Sequence, residues 1–305
     1  MKKAAGIEVE KLVNDFEFWV LPESTNLDEE LELLRSKLIP TDFLVLDGYH
    51  FDTAYQQAIK PSVCKMICID DLAEIHFHAD VIINHAAPEV AKKYRKEKNT
   101  TILAGPDYVL LRAPFRMAAK KQARTIDHIE TVFVCMGGAD PFNVTNKILQ
   151  ILFQVDFVKR IIVVIGNAYR FQQELHTVCA SAPDEKELMI ENGVSAVRMV
   201  ELIGLSQLAI CTGSSVSFEV ASVKCGMVTG TVIDNQEILN AMLHSTGCSE
   251  NAGDLTKIST EQLKQIIDGM NDVQKINTQI RNQSMLIDGS SDDRIRGVFN
   301  SLETC

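Results

Sequence analysis

The residues best suited to chemistry lie in two glycine turns in the second half of the chain. In TVFVCMGGADPFNVTNKILQIL (131–152), an apolar β-branched run ends at two glycines, and helical periodicity follows an Asp-Pro pair. Glycines allow a ligand to approach the backbone, and Asp140-Pro141 is typical of a helix cap followed by proline at the first helical position. A helix that begins near Phe142 would present free amides and a positive dipole end. That arrangement suits a phosphate group, although such a turn can also serve only tight packing. The candidate binding residues of this turn are Gly137, Gly138, Asp140 and Asn143.

The second turn lies in LAICTGSSVSFEVASVKCG (208–226), where a strand candidate ends at a glycine. Ser214 and Ser215 offer hydroxyl groups, and Glu219 follows one turn into the next predicted helix. A carboxylate in that position can accept hydrogen bonds from the two hydroxyls of a ribose. The alternative is that Ser215 caps the helix and Glu219 is a solvated helix residue.

A third candidate segment is VIDNQEILNAM, in which Asn235 and Gln236 begin a further helix and could bind sugar hydroxyls or amides. Asp-Asn-Gln is also an ordinary helix start. Many predicted strands of the chain end in a polar residue or glycine, among them Asp47 in the first half. In open α/β sheets the ligand crevice lies beyond the carboxyl ends of the strands, so we expect these ends to surround one site.

The elements that must position these residues alternate between apolar runs and amphipathic helical segments. Runs that are apolar on both faces predict buried parallel strands in βα units. The strand candidates are 16–21, 43–47, 65–70, 81–84 and 101–105, followed by 131–137, 160–166, 187–190, 208–213 and 227–232. Capping signals at Asn26 and Ser259 predict two helix starts.

Two such sets of strands predict two domains. We expect an α/β fold with an amino-terminal Rossmann-like domain (1–115), a basic linker (116–130), a carboxy-terminal nucleotide-binding Rossmann-like domain (131–290) and a terminal helix (291–305). The chain of 305 residues is long enough for both cores. The two domains are expected to face each other across a cleft.

The composition excludes several classes of protein. The chain is 46% hydrophobic and 23% charged, as in globular proteins, and its net charge of −11 argues against a broad nucleic-acid surface. Its longest apolar runs fall well short of the roughly twenty residues that span a bilayer. MKKAAGIEVE lacks the apolar stretch of a signal peptide, so we expect a cytoplasmic protein.

The eight cysteines are scattered along the chain. Several lie in or beside predicted strands, and Cys64 and Cys68 alone lack the paired spacing of a zinc site. We therefore expect most of them to be buried thiols in a reducing compartment, and we expect no metal or cofactor.

The ordered motifs resemble a known family. GGADPFNVT, TGSSVSFE and DNQ, preceded by VLDGYHFD, CIDDLAE, GPDYVLLR and PFR, resemble the UDP-sugar hydrolase of the pseudaminic acid pathway. The resemblance runs from about residue 40 to about residue 295 and extends more distantly to the lipid-linked N-acetylglucosamine transferase of peptidoglycan synthesis. It implies a glycosyltransferase-B (GT-B) type fold and an inverting, metal-independent enzyme that releases UDP from a diacetamido-trideoxy-altrose nucleotide.

The resemblance also implies a role for each candidate residue. Gly137, Gly138 and the following helix start would hold the diphosphate, with Ser214 and Ser215 near the phosphates and Glu219 on the ribose. Asn235 and Gln236 would face the sugar, and Asp47 and Tyr49 would lie on the opposite wall of the cleft. The turn Thr212-Gly213-Ser214-Ser215 replaces the family's Gly-Gly-Ser-Thr type turn, and Cys225-Gly226-Met227-Val228 replaces its Gly-Val-Pro, so nucleotide affinity or base choice can differ.

The amino terminus departs most from the family pattern. Family members begin with a strand and a Gly-His-x-x-Arg type turn that carries the catalytic base, whereas this chain opens with KKAAGIEVEKLVNDFEFWVL. We expect the first domain to lack its first strand unless an upstream segment or a partner supplies it.

No catalytic base follows from the sequence. His50 is the nearest substitute, and His76, His78 and His85 lie beside neighbouring strands. A noncatalytic nucleotide-sugar binding protein and a GT-B glycosyltransferase are therefore the alternatives to the hydrolase.

Overall fold

The computed structural model describes residues 26–302, and its chain divides into two compact units. The first unit comprises 26–108 together with 293–302, and the second comprises Val109–Asp292. Each unit contains a parallel β-sheet accompanied by helices, so the α/β class with two Rossmann-like units is confirmed.

The elements of the first unit alternate between strands and helices. In chain order they are α1 (Leu27–Lys37), β1 (Phe43–Asp47), α2 (Thr53–Ile59), β2 (Lys65–Ile69), β3 (His76–Phe77), β4 (Val81–Asn84), β5 (Arg95–Lys96) and β6 (Thr101–Ala104).

The first unit has a four-stranded parallel sheet in the order β1-β2-β4-β6 and a separate two-stranded parallel sheet of β3 and β5. Strand β4 is buried along its whole length, because VIIN lies in the sheet interior. The last helix of the described chain, Ser291–Ser301, begins at the boundary between the units, and its Val298 and Phe299 pack against Ile67 and Val81. This packing explains why the end of the chain belongs to the first unit.

The second unit contains most of the remaining elements. In chain order they are α3 (Ala113–Ala119), β7 (Thr131–Cys135), α4 (Val144–Leu152), β8 (Arg160–Ile165), α5 (Gln172–Ala180), β9 (Glu187–Asn192), α6 (Ala196–Leu205), β10 (Leu208–Thr212), α7 (Ser215–Val223), β11 (Gly226–Thr231), α8 (Glu237–Ser245), β12 (Glu250–Asp254), α9 (Thr260–Asp268) and α10 (Val273–Leu286). The last helix, Ser291–Ser301, is α11, and most of it belongs to the first unit.

The six strands of the second unit form one parallel sheet in the order β12-β11-β10-β7-β8-β9. The chain builds outward from β7 to β9 on one side and then returns to build from β10 to β12 on the other. The strand order therefore reverses between β7 and β10, and these two central strands are fully buried. A crevice at such a reversal is where doubly wound sheets bind ligands.

The sequence predictions hold well for the apolar strands. Those within the described residues are confirmed to within two residues at either end, whereas the candidate at 16–21 and the expected absence of a first strand lie outside them. The predicted capping boxes at Asn26 and Ser259 are both present. Strands β3, β5 and β12 were not predicted, because two are only two residues long and the third, ENAGD, has no apolar run.

The segment predicted as a linker, 116–130, groups with the second unit and includes the end of α3. Arg124 explains part of this attachment, because its guanidinium donates hydrogen bonds to the backbone carbonyls of Gly204, Ser206 and Lys224.

The cysteines and the helices bear on the expected location of the protein. Cys68, Cys135, Cys211, Cys225 and Cys248 are buried free thiols, whereas Cys64 is disulfide-bonded. Among the described helices, none has both the length and the apolar character needed to cross a membrane. The cellular compartment stays a prediction.

Candidate functional site

The candidate residues of the second unit follow three strands that are neighbours in the sheet. Gly137 and Gly138 follow β7, Ser214 and Ser215 follow β10, and Asn235 follows β11. Because β11, β10 and β7 are adjacent and parallel, their carboxyl ends share one edge of the sheet. The structure thus gathers these separate motifs on both sides of the point where the strand order reverses.

The turn after β7 differs from the sequence prediction in one important respect. Helix α4 begins at Val144 rather than near Phe142. The carboxylate of Asp140, which is only 3% exposed, accepts hydrogen bonds from the N–H groups of Val144 (2.9 Å) and Thr145 (2.8 Å). The expectation that this helix presents free amides to an anion is therefore wrong, since a negative charge of the protein already occupies them.

The two glycines of this turn are open to solvent. Gly137 has φ +84°, a conformation that requires glycine, whereas Gly138 lies outside the left-handed region. A Cβ atom at either position would meet no atom within 4 Å. Asn143, with φ +53°, closes the turn and accepts a hydrogen bond from the hydroxyl of Tyr169 (2.7 Å). The backbone here leaves room for a ligand that a side chain would obstruct.

The turn after β10 leads into a helix that has no side-chain cap. Ser214 is the N-cap of α7, but its hydroxyl pairs with the hydroxyl of Thr212 (2.9 Å) instead of the helix amides. Ser215 is exposed and begins the helix, so it is not the capping residue that the sequence alternative suggested. Gly213 packs against Asn240, because a Cβ atom there would lie 2.8 Å from the Cβ of Asn240. The first turn of α7 thus has no side-chain acceptor at its positive end, in contrast to that of α4.

Glu219 is held by an arginine that the sequence reading did not select. The Nε (3.1 Å) and NH2 (2.7 Å) groups of Arg112 both donate to Oε1 of Glu219. The side chain of Glu219 is 14% exposed and that of Arg112 is 52% exposed. Burial raises the pKa of Glu219, and the positive charge of Arg112 opposes that rise. Glu219 is therefore an ion-paired, half-buried carboxylate and not the solvated helix residue of the alternative interpretation.

The charges of Glu219 and Asp140 both act on the end of β7. Burial raises the pKa of the Cys135 thiol to about 12, and the negative charges of Glu219 and Asp140 add to that rise. Cys135 is the last residue of β7. The carboxylates of the two turns therefore act on the same strand end.

The third segment forms a short 3₁₀ turn, Asp234–Gln236, before α8. The amide oxygen of Gln236 accepts a hydrogen bond from the N–H of Val232 (2.8 Å), so it shapes the turn. Asn235 and Gln236 are both half-buried.

In the first unit, polar residues gather at the carboxyl ends of β1, β2 and β4. Asp47 ends β1, and the exposed Tyr49 donates a hydrogen bond from its hydroxyl to Oδ2 of Asp71 (3.0 Å). His85 follows β4; burial lowers its pKa, and the nearby charges of Asp71 and Asp47 oppose that shift. His50, the nearest substitute by sequence, stacks on Phe51 with ring centroids 3.9 Å apart.

Comparison with known proteins places these features in context. No protein-family profile matches the chain. In sequence it is 27% identical over 218 residues to the uncharacterized protein MJ1062 of Methanocaldococcus jannaschii, covering 70% of this chain and 44% of that protein. It is 25% identical over 171 residues to the spore coat polysaccharide biosynthesis protein SpsG of Bacillus subtilis, covering 52% and 50%. The chain thus spans about half the length of the curated relatives that it matches.

Solved structures resemble the chain over nearly its whole length. MurG of Acinetobacter baumannii matches with a TM-score of 0.65 and 12% identity, covering 90% of this chain and 77% of that one. A UDP-N-acetylglucosamine 2-epimerase matches with a TM-score of 0.58 and 13% identity, covering 92% and 79%. The chain has the two-unit GT-B fold. At this level of identity the likeness establishes the fold alone.

Proposed function

We propose that the protein binds a UDP-sugar through its second unit and hydrolyses it to UDP and free sugar, in the synthesis of a surface polysaccharide or nonulosonic acid. The observation that carries this proposal is the position of the two candidate turns on β7 and β10, on either side of the strand-order reversal. Nucleotides bind at that point in doubly wound sheets. The sequence likeness to a spore coat polysaccharide biosynthesis protein and the structural likeness to an enzyme named for a UDP-sugar support the same substrate class.

We assign the diphosphate to the start of α7 and the open glycine turn, rather than to the start of α4. The amides of α4 are occupied by Asp140, whereas α7 lacks a side-chain cap and offers the exposed hydroxyl of Ser215. Arg112 adds a positive charge beside Glu219. In a chain of net charge −11, such local donors are needed to hold an anion.

The ribose is assigned to Glu219. Arg112 binds Oε1 of this carboxylate and holds it in place, while Oε2 remains able to accept hydrogen bonds from ribose hydroxyls. Asn235 and Gln236, on the neighbouring strand end, are proposed to contact the sugar, with the Nε2 group of Gln236 as its donor, since the oxygen is engaged.

Hydrolysis at the anomeric carbon requires a base that takes a proton from water. Among the histidines of the first unit we assign that role to His85, because it follows β4 at the strand ends where Asp47 and Asp71 also lie, and these carboxylates can stabilise the imidazolium that forms. We expect His85→Gln to lower kcat by about 100-fold or more while UDP affinity is kept. His50→Gln is the matched control, and an equal loss in both variants would remove His85 from this role.

The decisive experiment is incubation of the chain with a UDP-linked diacetamido-trideoxy sugar, with UDP and sugar followed by NMR. Release of both in water supports the hydrolase. The structural likeness to WaaG, a glycosyltransferase involved in lipopolysaccharide biosynthesis (TM-score 0.51, 10% identity), favours a glycosyltransferase as second candidate, and this would release UDP only when an acceptor is added. UDP binding without turnover under either condition would instead identify a noncatalytic binding protein.

A further inference from the structure

A cluster of two histidines and one glutamate lies on the small sheet of the first unit. His76 is the first residue of β3, and His78 is the residue directly after that strand. The two imidazoles therefore project from the same side of this extended segment. Glu97 directly follows β5, the parallel partner of β3. The two imidazole rings are 5.0 Å apart between centroids. The fold thus brings an i, i+2 histidine pair together with a carboxylate about twenty residues away.

The three side chains converge on one point. Nε2 of His76 lies 2.9 Å and Nδ1 of His78 lies 3.0 Å from the same oxygen, Oε1 of Glu97. The ligand atoms of the three residues all lie within 4.8 Å of one another. Ligand atoms around a tetrahedral zinc ion are about 3.3 Å apart, given bond lengths of about 2.0–2.1 Å. A small opening of the cluster is therefore enough to admit an ion.

The neighbouring charged side chains determine whether a cation can enter the cluster. Within the described chain, the ion-pair partners of the Glu97 carboxylate are these two histidines. The cations of β5 bind backbone carbonyls: Arg95 donates to the carbonyl of Glu74, and the ammonium of Lys96 donates to the carbonyls of Thr100 (2.8 Å) and Glu97 (3.4 Å). Among residues 26–302, no lysine or arginine thus forms an ion pair with the Glu97 carboxylate.

We propose that His76, His78 and Glu97 form a binding site for a divalent transition metal, with Zn²⁺ the ion that best matches the ligands. Two imidazoles and one carboxylate are a common zinc ligand set, and a water molecule completes the tetrahedron. The ion would join β3 to β5, which are held by a ladder of only two residues each. The site is independent of the proposed nucleotide site, and it departs from the sequence expectation that the protein binds no metal.

The test is titration of the chelator-treated full chain with Zn²⁺ by calorimetry, and with Co²⁺ by visible absorption. We expect one ion per chain and an intense cobalt spectrum that reports low coordination number. Each of His76→Gln, His78→Gln and Glu97→Gln should weaken zinc binding by about tenfold or more, since even the loss of an outer-shell partner has an effect of that size. All three side chains are partly exposed, so the variants are expected to fold.

His128→Gln is the matched control. His128 is an exposed histidine beside two carboxylates, Asp127 (2.6 Å) and Glu130 (3.7 Å), but it has no second histidine. The His128→Gln variant should bind zinc with the same affinity as the unaltered chain. Equal weakening in the control, absence of stoichiometric binding, or a cluster that responds to protons but not to zinc would each overturn the proposal.

Discussion

Glu219 is the residue of the proposed nucleotide site whose contribution to the free energy of UDP binding can be measured by a single substitution. Its Oε2 is proposed to accept hydrogen bonds from ribose, so Glu219→Gln should weaken UDP binding by about 1–2 kcal/mol, as measured by calorimetry. Arg112→Gln should weaken it as well, because Arg112 orients the carboxylate through Oε1. Unchanged UDP affinity in Glu219→Gln would exclude the ribose contact.

The raised pKa of Glu219 also determines how the stability of the folded chain changes with pH. The ordinary glutamate value of 4.5 applies to the unfolded chain, and burial raises the value in the folded chain. Ionisation of Glu219 therefore opposes folding: this cost is absent below pH 4.5 and develops as the pH rises through the folded pKa. We expect Glu219→Gln to be at least as stable as the unaltered chain at pH 7 in urea unfolding, and to lose that advantage near pH 4. A variant less stable at pH 7 would contradict this reading.

Gly138 and Gly213 have different surroundings, so a substitution at Gly138 should affect UDP binding and one at Gly213 should affect stability. A Cβ atom at Gly138 meets no atom within 4 Å, whereas one at Gly213 would lie 2.8 Å from the Cβ of Asn240. Gly138→Ala should therefore keep its melting temperature and lose UDP affinity, because the methyl group occupies ligand space. Gly213→Ala should lower the melting temperature through overpacking. Normal UDP affinity in Gly138→Ala would show that the turn after β7 does not approach the ligand.

Lys224 joins two elements of the second unit, α7 and the end of α3, through backbone carbonyls. It ends α7, is buried, and donates from its ammonium to Ala119 (2.7 Å), Lys121 (2.6 Å) and Ala118 (3.3 Å) at the end of α3. Lys224→Met keeps the side-chain length but removes the ammonium donor of Ala119 and Lys121, whereas the carbonyl of Ala118 also accepts from the N–H of Lys121 (3.0 Å). We therefore expect a loss of about 2–4 kcal/mol in the free energy of unfolding. Lys257→Met removes a side chain that is 83% exposed and pairs with Asp254, so it should change the free energy of unfolding far less.

Features that depend on residues close together in the sequence could be predicted, whereas those that depend on residues far apart in the sequence could not. Strands such as β7 and β10 were located because burial on both faces leaves an uninterrupted apolar run, and the cap at Asn26 was located because its partner is three residues away. The pairing of Arg112 with Glu219 spans 107 residues and has no local signature. Asp140 was predicted as a helix cap from the Asp-Pro pair, but that pair does not reveal that α4 starts two residues later than expected. Local patterns thus predicted the candidate site, while the partners of its side chains required the fold.

The topology of the second unit makes a prediction for the chain as a whole. If the ligand lies where the strand order reverses, UDP should slow amide hydrogen exchange in the turns after β7 and β10 and in the first turn of α7, since ligand binding suppresses the local opening that permits exchange. Exchange in the outermost strands, β9 and β12, should change little. The experiment uses the intact chain and mass spectrometry of its peptides, with uridine as the control ligand.

Uridine lacks the diphosphate, so it should protect the region around Glu219 but not the start of α7. Equal protection of both regions by uridine would mean that the base and ribose alone order the site, and the uncapped helix would then lose its assigned role as the phosphate-binding element. Protection by UDP that centres on the amides of α4 would have a different consequence. It would require Asp140 to release Val144 and Thr145 on binding, and Asp140→Asn should then strengthen UDP binding by removing the competing charge.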